Sequence, residues 1–168
     1  MKKVFIYALL ALLIASSCTV SYKFNGASID YSKVKTIAIA DFPNNAPLVY
    51  DMMMTQFNEE LKDIFAKQTR LSQVRVNGDL NIEGEITDYA LTPLSVGSDA
   101  LAAETRLSMT VNVRFTNNTN HDEDFETRFS ANRTFQNTQT LNDVQEQLVG
   151  EMIEEIVDQI FNATVANW

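Results

Sequence analysis

The chain has 168 residues, 45% of them hydrophobic, with 13 basic and 22 acidic side chains and a formal net charge of −9. That length suits one domain with a proper core and is short for two; the apolar fraction is ordinary for a globular fold. The acidity excludes a nucleic-acid-binding protein, which needs a basic footprint to displace phosphate counterions, and it disfavours bulk attraction to anionic lipid.

The first residues are Met1-Lys2-Lys3, a 12-residue apolar run from Val4 to Ala15, and Ser16-Ser17-Cys18. This is the layout of an export signal, with a positive start, a short hydrophobic stretch and a small-residue cleavage site. The run is too short for a membrane span, which needs about 20 residues. Cys18 is the single cysteine, so no internal disulfide is possible. Ala15-Ser16-Ser17 before Cys18 resembles a bacterial lipobox, in which the cysteine thiol takes a diacylglycerol and the signal (residues 1–17) is removed. Ala15 stands where the usual leading Leu would be, and a plain secretory signal leaving a free thiol is the alternative. Cleavage takes away Lys2 and Lys3, which leaves 11 basic against 22 acidic groups and a mature net charge near −11.

After the tether at residues 18–22, Val20 to Phe24 is a short mixed stretch and Asn25-Gly26 a turn. Lys35 to Phe42 alternates Ile37, Ile39 and Asp41 against Thr36, Ala38 and Ala40, which predicts a strand with one small-residue side; Pro43 to Pro47 breaks it. Val49, Met53, Phe57, Leu61, Ile64 and Phe65 form the stripe of a helix over 48–67. Within the triplet Met52-Met53-Met54, core filling with one exposed Met is favoured over an adaptable lipid-contact surface. Leu71 to Val76 predicts a short strand, and Asn77-Gly78 suits a tight hairpin. Ile82 to Leu91 sets Ile82, Gly84, Ile86 and Asp88 against Glu83, Glu85, Thr87 and Tyr89, with Pro93 as its end. Gly97 to Ala103 is a small-residue loop.

The strongest alternation follows. Leu107, Met109, Val111, Val113 and Phe115 face one way, and Arg106, Ser108, Thr110, Asn112 and Arg114 the other. After Asn117 to Asp122, Phe125, Thr127, Phe129 and Ala131 continue the apolar side, with Glu126, Arg128, Ser130 and Asn132 on the polar one. This predicts a long antiparallel hairpin with one wet face. Pairing Phe115 with Phe125 sets Arg114 opposite Glu126 and Asn112 opposite Arg128. A second helix, over 141–165, carries the stripe Leu141, Val144, Leu148, Met152, Ile153, Ile156, Ile160 and Phe161, with Thr140 and Asp143 at its cap. The expected fold is α+β, a two-layer sandwich with both amphipathic helices on one face of a mostly antiparallel or mixed sheet.

Chemistry is sparse. His121 sits in a polar hairpin tip, a poor place to hold a catalytic imidazole, and His121-Asp122-Glu123-Asp124 reads as a solvated turn rather than a metal site. Glu83 and Glu85 share a strand face but have no inferable pocket. The Asn117, Asn132 and Asn162 glycosylation sequons are idle behind a bacterial signal. No cofactor-binding motif is present. Arg106 and Arg128 remain as candidate forks for phosphate or carboxylate groups; for each, cross-strand pairing is an equal alternative, and for Arg114 pairing is preferred.

Six stretches carry a family likeness: Tyr22–Ile29 (YKFNGASI), Phe42–Val49 (FPNNAPLV), Leu61–Leu71 (LKDIFAKQTRL), Gly78–Tyr89 (GDLNIEGEITDY), Arg106–Asn117 (RLSMTVNVRFTN) and Ile160–Trp168 (IFNATVANW). In them the sequence resembles the lipopolysaccharide-assembly lipoproteins, the LptE-like family, over nearly the whole of residues 18–168. The resemblance implies one α/β domain, held at the outer membrane by Cys18 and facing the periplasm. It also implies a non-catalytic plug and assembly subunit of the LptD-type β-barrel that delivers lipopolysaccharide to the outer leaflet. No lipid-contact residue transfers by motif. A stand-alone periplasmic carrier of a lipid or small ligand is the competing reading, and a closed apolar cavity is what would distinguish it.

Overall fold

The computed structural model describes residues 29–94 and 104–166. The expected signal, Cys18, the 18–22 tether and the 97–103 loop lie outside them. The elements in order are β1 (Thr36–Ile39), α1 (Asp51–Gln68), β2 (Ser72–Val74), β3 (Leu80–Leu94), β4 (Glu104–Asn117), a 3₁₀ turn (His121–Glu123), β5 (Phe125–Gln136), α2 (Leu141–Phe161) and a π-turn (Asn162–Ala166). They form a mixed five-stranded sheet in the order β2-β1-β3-β4-β5. β1 runs parallel to both β2 and β3, whereas the β3-β4 and β4-β5 pairs are antiparallel.

Alternation decides which side of the sheet is covered. Leu107, Met109, Val111, Val113 and Phe115 of β4 are all buried, while the intervening residues are exposed or half-buried. On β5 the same side shows Phe125, Phe129, Ala131, Arg133 and Phe135, and on β3 Leu80, Ile82 and Ile86. The two amphipathic helices cover this side. Phe57 of α1 packs on Phe42 at 5.3 Å between ring centroids, and Phe65 of α1 meets Phe161 of α2 edge-on at 5.2 Å. Arg133 bridges to α2 through Glu151 (2.9 Å) and Glu155 (2.7 Å). α2 buries Leu148, Val149, Met152, Ile153, Ile156, Val157 and Ile160, and each such side chain contributes about 1.5–3 kcal/mol of hydrophobic stabilisation. Asp143 opens the helix as expected, accepting from the Thr140 N–H at 2.9 Å and its hydroxyl at 2.6 Å.

Four expectations change. Asn77-Gly78 is not a hairpin turn, because β1 lies between β2 and β3. Instead the connection crosses β1, and a side chain at Gly78 would lie 2.6 Å from the Ala38 nitrogen and 2.9 Å from the Ile37 carbonyl carbon. Only glycine permits that approach; the crossing also accounts for the small Ala38, 6% exposed on the side away from Ile37 and Ile39. β3 does not alternate regularly, since its register with β4 shifts between Ile86 and Asp88. The extra residue, Thr87, turns Tyr89 into the core, opposite Met109, and Asp88 outward, opposite Thr110. Pro93 does not end β3. It pairs with Thr105 inside the strand, where β1 no longer flanks β3 and no ladder bond is lost on that side. Finally, α1 starts at Asp51, so Val49 is not part of the stripe and is 72% exposed.

The covalent path from β1 to α1 is fastened throughout. The Ala40 N–H donates to the Ile82 carbonyl, the Ile86 N–H to the Pro43 carbonyl and the Asn45 N–H to the Ile86 carbonyl, at 2.9–3.0 Å. Phe42 drops into a notch that Gly84 leaves in β3: a Cβ at Gly84 would stand 2.5 Å from its ring. The Asn58 amide of α1 then closes both backbone groups of Phe42, accepting its N–H at 2.7 Å and donating to its carbonyl at 3.2 Å.

Candidate functional site

The side of the sheet opposite the helices is an open polar surface built by β3, β4 and β5. Period-two alternation places Glu83, Glu85, Asp88, Ala90 and Thr92 there from β3, and Arg106, Ser108, Thr110, Asn112 and Arg114 from β4. β5 adds Glu126, Arg128, Ser130, Asn132 and Thr134. The surface divides in two along the strands. Near the start of β3 it is a charge network: Arg114 reaches Glu83 at 3.0 Å and Glu126 at 3.2 Å, and Asn112 donates to Glu126 at 3.0 Å. The paired Arg114 and Asn112 hold the Glu126 carboxyl below its ordinary range, with Asn112 the larger cause. A shallow groove of about 420 Å³ runs past these residues beside Asp41 and Pro43. Toward the other end charges are sparser: the Thr110 and Ser130 hydroxyls stand 3.0 Å apart, Ser108 is flanked by Ala90 and Asn132, and Asp88 lies opposite Thr110.

The register fixes the two candidate arginines. Arg106 lies opposite Thr92 and Thr134, and Arg128 opposite Asn112. Both are exposed, and neither side chain has a hydrogen bond or ion pair among the described residues. Thr134 and Arg128 are six residues apart on β5, so the backbone positions of the two arginines stand about 20 Å apart at 3.4 Å per residue. They flank the strip around Thr110, Ser130 and Asn132. Arg114, by contrast, is committed to cross-strand pairing.

The other chemistry-bearing residues are all engaged structurally. Glu83 is bridged to Arg114, and Glu85 accepts from the Asn45 amide. His121 Nδ1 lies 2.9 Å from Asp124, whose other oxygen accepts the Asn117 N–H at 2.7 Å; that backbone bond, ahead of His121, lowers the Asp124 pKa. Asn117, 1% exposed, accepts from the Thr119 N–H and hydroxyl and from the Asn120 N–H, which knits the β4-β5 turn. Its place in a sequon thus masks a turn-forming role. Asn58 was likewise invisible in the sequence, where the one available signal is an amide set between Phe57 and Leu61 on the apolar stripe.

Above the helices the character is different. Glu59, Glu60, Asp63, Glu154 and Asp158 line an open groove between α1 and α2 with Lys67 as its cation. Burial, then Glu154 and Asp158, raises the Glu60 pKa. α2 carries six carboxylates and no basic residue. The molecule therefore has an acidic helix side and a nearly charge-balanced sheet side. No helix among the described residues is long and apolar enough to cross a membrane.

A sequence model of the LptE lipopolysaccharide-assembly family matches residues 34–164, which takes in every helix and strand just described. The chain belongs to the LptE family. No curated protein sequence matches it significantly. Its fold is similar to that of a minor lipoprotein from Acinetobacter baumannii (TM-score 0.53, 16% identity, covering 80% of this chain and 94% of that one). It is also similar to a hypothetical protein from Chlamydia trachomatis (TM-score 0.54, 12% identity, 80% and 99%). An uncharacterized lipoprotein B from Nitrosomonas europaea gives a TM-score of 0.50 at 19% identity, covering 80% and 84%. At these identities the likeness is one of fold. Among the described residues, this LptE-family chain presents a polar sheet face that carries Arg106 and Arg128.

Proposed function

We propose that this LptE-family chain is an outer-membrane lipoprotein that plugs and helps assemble an LptD-type β-barrel, assisting delivery of lipopolysaccharide to the outer leaflet. Signal removal after residue 17 and acylation of Cys18 hold it at the membrane, facing the periplasm; each buried acyl methylene contributes about 0.8 kcal/mol, so several chains anchor it durably. The family match over residues 34–164 carries the reading. The open sheet supports it: a barrel lumen is polar, and a plug needs a rigid, filled interior behind a polar contact surface. The core here is one continuous cluster from Ile29 to Val165. A carrier would instead wall off an apolar cavity, whereas the clefts on the sheet, on the helix layer and beside Ile29 open to solvent. Contact with lipopolysaccharide phosphates falls to Arg106 and Arg128, because the helix side is acidic.

The test is affinity isolation of the tagged full chain from detergent-extracted outer membrane, with a Cys18→Ala form alongside. The expected results are co-isolation of one large β-barrel protein and release of the Cys18→Ala form from the membrane fraction. Repeated recovery of the chain without a barrel would favour the carrier reading, and tight membrane retention of Cys18→Ala would overturn the acylation step.

A further inference from the structure

The methionine triplet at the start of α1 separates into two kinds of residue. Met53 is fully buried, whereas Met52 is 60% and Met54 42% exposed. Met109 and Met152, on β4 and α2, are both fully buried. Mature residues 18–168 thus contain three enclosed thioethers and two that meet solvent, and the latter two are separated by a single buried residue. The sequence expectation of one exposed Met is corrected by the helix starting at Asp51, which puts residues 52 and 54 on either side of the inward-facing Met53.

The surroundings set these two apart from stray surface residues. Of seven exposed large hydrophobics among the described residues, Leu48, Val49, Met52 and Met54 fall within one stretch of seven positions. The stretch follows the segment 40–46, which is pinned to β3 by three backbone bonds and to α1 by the Asn58 amide. The apolar residues therefore sit together at the start of α1, next to a segment held to the sheet. The Tyr50 hydroxyl points at the Met52 sulfur, 3.8 Å away, a weak contact to a thioether that a sulfoxide oxygen would accept far better.

We infer that Met52 and Met54 form a reversible oxidation site, at which a peroxide-class oxidant converts an apolar surface stretch into a polar one. The step balances as oxygen transfer: the peroxide O–O bond breaks, one oxygen bonds to the thioether sulfur, and the peroxide is reduced to water as sulfur is oxidised to sulfoxide. Buried thioethers react only when the structure around them opens, and core opening is rare. Reduction by methionine sulfoxide reductases, one for each sulfoxide epimer, restores the apolar stretch: a dithiol supplies two electrons and two protons, becomes a disulfide, and the sulfoxide oxygen leaves as water.

The test uses the full mature chain, purified in detergent from membranes and treated with dilute hydrogen peroxide for increasing times. Peptide mass spectrometry then follows sulfoxide at all five methionines. Oxidation at Met52 and Met54 is expected to outpace Met53, Met109 and Met152 by about tenfold or more, with far-UV circular dichroism unchanged. Subsequent treatment with both reductases should return residues 52 and 54 to thioethers. Met53 serves as the internal control, since it shares their sequence neighbourhood and differs only in burial. Equal rates across the triplet would overturn the inference, as would sulfoxides that the reductases leave in place. A Met52→Leu/Met54→Leu chain should gain no early oxygen; early oxygen uptake elsewhere in it would equally count against the assignment.

Discussion

Replacing Asn58 by Ala removes one side chain and strands two backbone groups. Phe42 is fully buried, and the Asn58 amide is what satisfies both its N–H (2.7 Å) and its carbonyl (3.2 Å). A buried backbone group left without a partner costs about 1–3 kcal/mol, so the pair predicts a loss of about 2–6 kcal/mol. That is a large fraction of the 5–15 kcal/mol typical of a domain. At about 2–4 °C per kcal/mol for a chain of this size, Tm should fall by roughly 4–24 °C. Thermal and urea unfolding followed by circular dichroism measure both quantities, with Thr55→Ala, an exposed neighbour on the same helix, as the control. Asn58→Asp separates the two bonds: it keeps an acceptor for the Phe42 N–H but sets a carboxylate oxygen against the carbonyl, so it too should destabilise. A loss for Asn58→Ala below about 0.5 kcal/mol, the range of ordinary surface substitutions, would refute the latch.

Three further outcomes follow from particular contacts. Gly84→Ala places a Cβ 2.1 Å from the Asn112 carbonyl and 2.5 Å from the Phe42 ring; overpacking of that kind should cost about 3 kcal/mol or more, and an unfolding midpoint equal to the parent's would contradict the notch. Asp79 accepts the Lys35 and Thr36 N–H groups and the Thr36 hydroxyl, with the Lys35 bond the main cause holding its carboxyl below the usual range. Because the folded pKa is depressed, this stabilisation is whole above the unfolded value of about 4 and is lost as pH falls through the folded one. Asp79→Asn should therefore be less stable than the parent at pH 7, with the gap narrowing in acid; a gap constant with pH would contradict it. Changing Arg106 and Arg128 to Glu should weaken lipopolysaccharide binding in a pull-down while leaving Tm within about 2 °C, as suits exposed positions; unchanged binding would remove both from the contact surface.

The parts of this architecture legible in the sequence are those where a single period runs uninterrupted. Ten residues of strict alternation in β4 gave its buried and wet faces, and pairing Phe115 with Phe125 gave the β4-β5 register, including Arg114 opposite Glu126 and Asn112 opposite Arg128. Both helices could likewise be read from their stripes. What escaped is wherever one inserted residue or a long-range neighbour decides. Thr87 leaves no mark in the alternation it breaks, so Tyr89 was assigned to the wrong face. Asn77-Gly78 carries the composition of a turn, but the glycine is required by β1, some forty residues earlier in the chain. Pro93 ends a strand only where its missing N–H would face a partner, and that depends on how far β1 extends. For the candidate site, sequence placed Arg106 and Arg128 on the same face correctly. Their backbone separation of about 20 Å follows from the same Phe115–Phe125 register.

Docking of the polar sheet face inside a barrel, as proposed above, can be tested in intact cells. Photo-activatable amino acids are introduced singly at Thr110 and Asn132, on the sheet face, and at Glu154, on the acidic helix side. The sheet positions are expected to give a crosslinked species with the mass of the chain plus one large outer-membrane β-barrel. Sheet positions that yield no such species, in cells where the chain is present and membrane-bound, would contradict it.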